Sequence, residues 1–374
     1  MQAADSATRA HLVPVSFADL HGFATDDHKA SWAAFLPSCR AIMDNRAELR
    51  KGTPASPKHR DLCARAIALG AEANSGQIRA FFETNFAPHL ISPGNDPAFL
   101  TAYYRPEVQA SLTPTAEFTE PLLARPDDLI TLHPGQVPPE GTDLLAGRIG
   151  THGKLESYPT RAEIDAGALG AQARPLAYVA DGIEAFMIHV QGSARLRLPD
   201  GKVLDLTYAG RNGRPYVSIG KILIGEGEIS LQHMSLDMLK GWVRAHGQAL
   251  GQDGRGLLHR NPSFIFFSAT PADDESPGPI AAAGLPLTPF RSLAIDRSIW
   301  AYGLPFWIDA DLPWQTTGTQ PFARLMIGQD TGSAIVGPAR ADLYFGTGAT
   351  AGQRAGDIRH HARMYVLLPV GEAP

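Results

Sequence analysis

The chain has 374 residues, a length that accommodates two domains, and 44% of them are hydrophobic, enough to bury real cores. Its formal charge of −5 and pI near 6.2 argue against a general nucleic-acid binder, and no run of about 18 apolar residues offers a transmembrane helix. The 37 glycines and 30 prolines favour turn-rich β architecture over a helical bundle. Met1 to Asp5 lack the basic and apolar regions of a signal peptide, so either an export segment has been removed or the protein is cytosolic.

Residues 12 to 23 read as an extended entry. Thr25, Asp26 and Asp27 offer an N-cap for a helix through Trp32, Phe35 and Cys39. Two further helices are expected over Leu62 to Ala73 and Gly76 to Phe82, with Phe81, Phe82 and Phe86 as core. Cys39 and Cys63 belong to no CxxC or Cys/His cluster, so no metal is expected; reduced thiols and a disulfide both fit the pattern.

From Phe99 the character changes. Phe99 to Arg105 is a strand ended by Pro106. Its paired Tyr103 and Tyr104 suit core packing or sugar binding, because the C–H faces of sugars pack on aromatic rings. Thr160 followed by Glu163 is a capping box, so a short helix starts there and Glu163 and Asp165 read as structural. Phe186 to Val190 reads as a strand entering a turn at Gln191, Gly192 and Ser193. Arg195 to Leu198 alternates, Pro199-Asp200-Gly201 turns, Val203 to Tyr208 returns, and Tyr216 to Lys221 follows, which together read as a β-meander of small-barrel character. Ser235 caps an amphipathic helix through Leu236, Leu239, Trp242 and Val243, where His246 satisfies the C-terminus. Ser263 to Ser268 is a strand, and Pro271 to Pro289 reads as a mobile acidic loop.

The last hundred residues carry the chemistry. Leu325 to Ile327 and Ala341 to Phe345 read as buried strands, punctuated by Gly328, Gly332, Gly337 and Pro338. Asp330 and Asp342 lie at such strands, and Asp296 closes the apolar run from Ser292. Burial raises a carboxyl's pKa, and a carboxyl protonated near neutral pH is what a general acid needs. Turn capping is the simpler role for each. Gly352 to Gly356 reads as a Gly/Arg loop and Met364 to Pro369 as the final strand. Arg354, Arg359, His360, His361 and Arg363 form a local positive patch that suits an acidic polymer, or a solvated strip.

The runs DTGSAI from Asp330, ADLYFGTG from Ala341 and AGQRAG from Ala351 together resemble the three-aspartate domain of the lytic murein transglycosylase A family of bacterial cell-wall enzymes. The family's aspartates fall on Asp296, Asp330 and Asp342, and its catalytic acid on Asp342 in Asp342-Leu343-Tyr344-Phe345-Gly346. Thr101 to Pro106 matches a second family run, with Ala102 in place of the usual glycine. The resemblance implies a mainly β fold with N-terminal helices. Residues 1–104 with 248–374 would hold a double-psi β-barrel, residues 105–247 an inserted β-barrel-like domain, and a groove would lie between them. It places substrate contacts on Tyr103, Tyr104, Gln191, Gly192, Ser193, Tyr216, Ser218, Lys221, Arg297, Thr331, Tyr344 and Arg354. Export, which it also implies, favours a Cys39–Cys63 disulfide in a periplasmic protein, associated with the outer membrane, whose leader has been removed.

The activity implied is cleavage of the β-1,4 bond between N-acetylmuramic acid and N-acetylglucosamine, leaving 1,6-anhydromuramic acid ends. No cofactor or metal is expected. Peptidoglycan strands are the expected partner, with proteins of cell-wall synthesis or hydrolysis as further candidates and a monomer as the expected state. Two rivals stand beside it. Asp330-Thr331-Gly332-Ser333 is also an aspartic-protease signature, but such enzymes need two aspartates and no second DTG or DSG occurs. A noncatalytic glycan-binding protein is the other.

Overall fold

The computed structural model describes residues 11–92, 98–132, 146–150, 152–316 and 318–372. Met1 to Asp5, read above for a leader, lie outside them. The chain divides into two compact units, Met1–Tyr104 with Ile280–Gly346 and Asp357–Pro374, and Arg105–Pro279 with Thr347–Gly356.

The first unit begins with β1 (His11–Pro14) and three helices, α1 (His28–Met43), α2 (Pro57–Leu69) and α3 (Ser75–Asn85). Side-chain caps start each helix. Asp27 accepts from the Ala30 N–H, Ser56 from His59, and Asn74 from Gln77 in a full capping box. Cys39 on α1 and Cys63 on α2 form a disulfide with Cα atoms 4.7 Å apart, both fully buried. Strands β2 (Phe86–Ser92) and β3 (Ala98–Arg105) follow. Trp32, Phe35, Phe82 and Phe86 pack edge to face or tilted, with ring centroids 5.3–5.9 Å apart. Truncating a fully buried ring such as Phe35 to alanine would cost about 3–5 kcal/mol.

The second unit holds β4 (Glu107–Gln109), β5 (Glu120–Leu123), β6 (Ile130–Thr131), β7 (Ala146–Ile149), β8 (Leu155–Ser157), α4 (Arg161–Asp165), β9 (Pro175–Val179), α5 (Gly182–Gln191), β10 (Ser193–Arg197), β11 (Val203–Arg211), α6 (Ile219–Gly225), α7 (Leu236–Ala245), α8 (Asp253–His259) and β12 (Ile265–Ala272). Its largest sheet has the order β12-β11-β10-β4. The pairing of β12 with β11, from Val203 opposite Ala272 to Arg211 opposite Ile265, carries this unit to Pro279 rather than the 247 expected. Two expected strands are helices. Asp181 accepts from the Glu184 N–H and Gly192 takes φ +74° at the C-cap, so residues 182–191 coil and bury Ile183, Phe186 and Met187 on one face. Ser218 accepts from the Lys221 N–H and starts α6 where a strand was expected.

The chain then returns to the first unit with β13 (Ser292–Ala294), β14 (Pro305–Leu312), β15 (Gln320–Asp330) and β16 (Arg340–Thr347). A last helix, α9 (Ala349–Gly356), replaces the expected Gly/Arg loop and belongs to the second unit; β17 (Arg359–Pro369) completes the first. The sheet runs β17-β14-β15-β13-β16-β3, and β17 also pairs with β3, which closes a six-stranded barrel. Residues 281–287, expected in a mobile loop, are instead packed: Ala281, Ala282, Leu285 and Leu287 are buried.

Candidate active site

Strand β13 organises the site. Ala294 is the register partner of Asp330 on the parallel β15 and of Asp342 on the antiparallel β16. The two acids therefore stand on strands flanking one residue, about 10 Å apart at the backbone by strand spacing.

Asp342 is only partly exposed, and its neighbours Ala341, Leu343 and Tyr344 are fully or almost fully buried. Loss of water raises its carboxyl to about 6. A hydrogen bond from Thr101 and the positive charge of Arg340 pull it down, and Asp330 pushes it up by repulsion. The Thr101 hydroxyl donates to Asp342 Oδ1 at 2.5 Å, and Arg340 Nη2 donates to the same hydroxyl at 2.7 Å. With Oδ1 so occupied, Oδ2 is the oxygen left to carry a transferable proton. Gly346, at φ +115°, ends the Asp-Leu-Tyr-Phe-Gly run in a conformation that favours glycine.

Asp330 uses both its oxygens. Oδ2 accepts from the Tyr103 hydroxyl at 2.8 Å and Oδ1 from the Ala282 N–H at 3.0 Å. Burial raises its pKa, against the pull of these donors. Tyr103 lies 5.4 Å, ring to ring, from Tyr344, and burial followed by the Asp330 charge holds its phenol protonated. Sequence reading missed Thr101, Arg340 and Ala282 as partners of the acids. Only the Thr101-to-Pro106 run carried a signal for any of them.

Asp296 serves a different end. Oδ1 accepts from the Ser298 N–H at 3.0 Å and the Ser298 hydroxyl at 2.6 Å, while Oδ2 accepts from the Gly337 N–H at 2.7 Å. Trp300 Nε1 reaches the neighbouring Pro338 carbonyl at 2.9 Å. Asp296 thus clamps the turn that joins the strands of the other two aspartates. Arg297 donates to the Lys51 carbonyl, and the Thr331 carbonyl accepts from Arg50 at 3.0 Å.

The remaining candidates are spread through the chain. Tyr104 is buried in β3. Gln191 ends α5, Gly192 caps it, and Ser193 is buried at the start of β10. Tyr216 is 37% exposed, Ser218 is the cap of α6, and Lys221 is exposed on that helix. Arg354 is exposed on α9. Among the described residues no group of His, Cys, Asp or Glu is placed to hold a metal ion, and no helix is long and apolar enough to cross a membrane.

A closed barrel carrying two acids around one central strand marks a 3D-domain protein: residues 291–368 match the family model described as 3D domain, and residues 99–268 match that of the MltA specific insert domain. The chain belongs to the membrane-bound lytic murein transglycosylase A family. It is 41% identical over 219 residues to membrane-bound lytic murein transglycosylase A of Vibrio cholerae, a match spanning 57% of this chain and 56% of that relative's length. The crystal structure of a membrane-bound lytic murein transglycosylase from Agrobacterium tumefaciens is similar with a TM-score of 0.83 at 36% identity, covering 96% of this chain and 97% of that one. The structure of Escherichia coli MltA with bound chitohexaose is similar with a TM-score of 0.65 at 28% identity, covering 99% and 93%.

Proposed function

We propose that this chain is a peptidoglycan lytic transglycosylase that cleaves the β-1,4 bond between N-acetylmuramic acid and N-acetylglucosamine, with Asp342 as its single acid and base. The observation that carries this reading is the Asp342 carboxyl, raised to about 6 by burial and oriented by Thr101. Asp342 gives its proton to the glycosidic oxygen as the C1–O bond breaks. The C6 hydroxyl of the same muramic acid attacks C1, and its proton passes to the Asp342 carboxylate. A 1,6-anhydro ring closes and the acid is regenerated. General acid–base help of this kind supplies about 10²–10⁴ in rate.

A hydrolase needs a second carboxylate to activate water or attack the sugar. Asp330 is poorly suited to that task, because Tyr103 and the Ala282 N–H already occupy its two oxygens. The same bonds weigh against a protease, whose two aspartates share a proton. Asp330 instead tunes Asp342 by its charge, and Asp296 acts as a positioning residue. Tyr103, Tyr104, Gln191, Gly192, Ser193, Tyr216, Ser218, Lys221, Arg297, Thr331, Tyr344 and Arg354 are the proposed substrate contacts, direct or through the backbone they hold. The sugar bound in the Escherichia coli relative supports a glycan ligand, and the relatives' membrane-bound description supports work in the periplasm at a membrane surface.

Mass spectrometry of products from purified sacculi tests the reading. Anhydro-muropeptides, each lighter by one water than a reducing-end product, are expected. Reducing ends alone would mean a hydrolase, released peptides with intact glycan a protease, and no soluble product a binding protein.

A further inference from the structure

The basic cluster near the end of the chain has a defined place on the barrel. In β17, Arg359, His361 and Arg363 alternate outward and are exposed, while the residues between them are half-buried. The antiparallel ladder sets Arg359 opposite Thr101 and His361 opposite Phe99, so these four side chains share one face. His361 meets the Phe99 ring edge to face at 5.9 Å. The Arg340 guanidinium lies 5.4 Å from the centroid of the same Phe99 ring and donates to the Thr101 hydroxyl. Thr101 in turn holds Asp342. A continuous surface therefore runs from Arg363 through His361, Phe99 and Arg359 to the acid, about 10 Å away across two strand spacings.

Its charge is opposite to that of the whole chain, which carries −5. Two arginines, Arg359 and Arg363, face outward there beside His361, and Arg340 is half-buried against Phe99. Asp309, bonded to Arg363 at 2.5 Å, offsets one of them, yet the Arg363 side chain remains 64% exposed. Asp357, two residues before Arg359, is a second acid near the strip. Such a surface attracts carboxylates and gains nothing from a neutral sugar.

We infer that this face of β16, β3 and β17 is a carboxylate-binding strip that holds the peptide-stem carboxylates of the strand being cut, and so selects peptide-bearing glycan over neutral glycan. The inference rests on the transglycosylase reading of Asp342 and names the substrate form which that site takes. The strip acts on binding. Thr101 and Arg340 remain with the acid, and Arg359, His361 and Arg363 act at a distance from the reacting atoms.

The test compares native soluble murein strands with the same strands whose carboxylates have been amidated with methylamine, which keeps their size and removes their charge. Wild-type protein should show a KM on the order of fivefold to tenfold lower on native strands, as expected for two or three partly screened ion pairs. The variant combining R359Q, H361Q and R363Q should lose that difference with kcat unchanged, and R359K with R363K should retain it. Equal KM for both strands in the wild type, or an equal loss on both in the variant, overturns the strip. Co-sedimentation of the Asp342→Asn protein with native and amidated insoluble sacculi reads the same preference without turnover, so it stands even if the bond is cut by another chemistry. Binding to anionic phospholipid vesicles with no preference between the strands would assign the charges to a membrane and also overturn the inference.

Discussion

Thr101 and Asp342 are 241 residues apart in the chain and share a 2.5 Å hydrogen bond in which the hydroxyl donates to the carboxyl. The bond lowers the acid's pKa against the rise that burial imposes. Replacing Thr101 with Val removes the donor at nearly constant volume. The Asp342 pKa then rises above about 6, and the alkaline limb of the pH–activity profile moves to higher pH. A limb that stays in place or moves down shows that Thr101 does not tune the acid.

Asp330→Asn acts in the opposite direction. The Asp330 charge raises the Asp342 pKa, and asparagine removes that charge while its one carboxamide oxygen keeps the Ala282 N–H and its NH2 donates to the Tyr103 phenol oxygen instead of accepting from it. The alkaline limb should therefore move to lower pH. An unchanged limb removes the electrostatic role.

Asp342→Asn should abolish lysis, with kcat down by about 10²–10⁴, while strand binding survives. Stability supplies a second readout. The folded pKa lies above the ordinary aspartate value of 3.8, so the protonated acid's advantage is complete below that value and lost as pH rises through about 6. Asparagine never ionises. The variant should be more stable than wild type at pH 8, by about 2–3 kcal/mol at most, and similar near pH 4. Equal stability at both pH values would mean that Asp342 is not held in a desolvated site.

Asp296→Ala leaves the Ser298 and Gly337 donors without their acceptor. The expected loss is about 1–3 kcal/mol, with activity falling as the turn between β15 and β16 loosens. Calorimetry with the turnover rate checks both. Wild-type stability with normal activity would remove the clamp.

Unreduced, denatured protein should titrate no free thiol. The Cys39–Cys63 bridge closes a separation of 24 residues, and its reduction should cost roughly 3 kcal/mol in the chain-entropy model. Two titrating thiols would refute the bridge.

The aspartates were legible because they interrupt apolar strands in a recognisable order, and the Thr160–Glu163 box was legible because its geometry is local. Helix α5 was not. Phe186 to Val190 is a short apolar run that suits either element, and the deciding signals, Asp181 and Gly192, stand outside it. The partners of the acids were hidden for another reason. Ala282 contributes only a backbone N–H, which any residue in the 281–287 stretch would offer, and Arg340 reaches Thr101 through a strand pairing no local pattern records.

The register through Ala294 and the bond to Thr101 also set a schedule. Asp342 is complete only when β3, made early, has met β16, which pairs with β13 and is made after the long Arg105–Pro279 segment, and β17 has closed the barrel behind them. During synthesis the chain carries its early strand for most of its length before the acid exists at all. A chain built this way holds no assembled acid until β17 has been added.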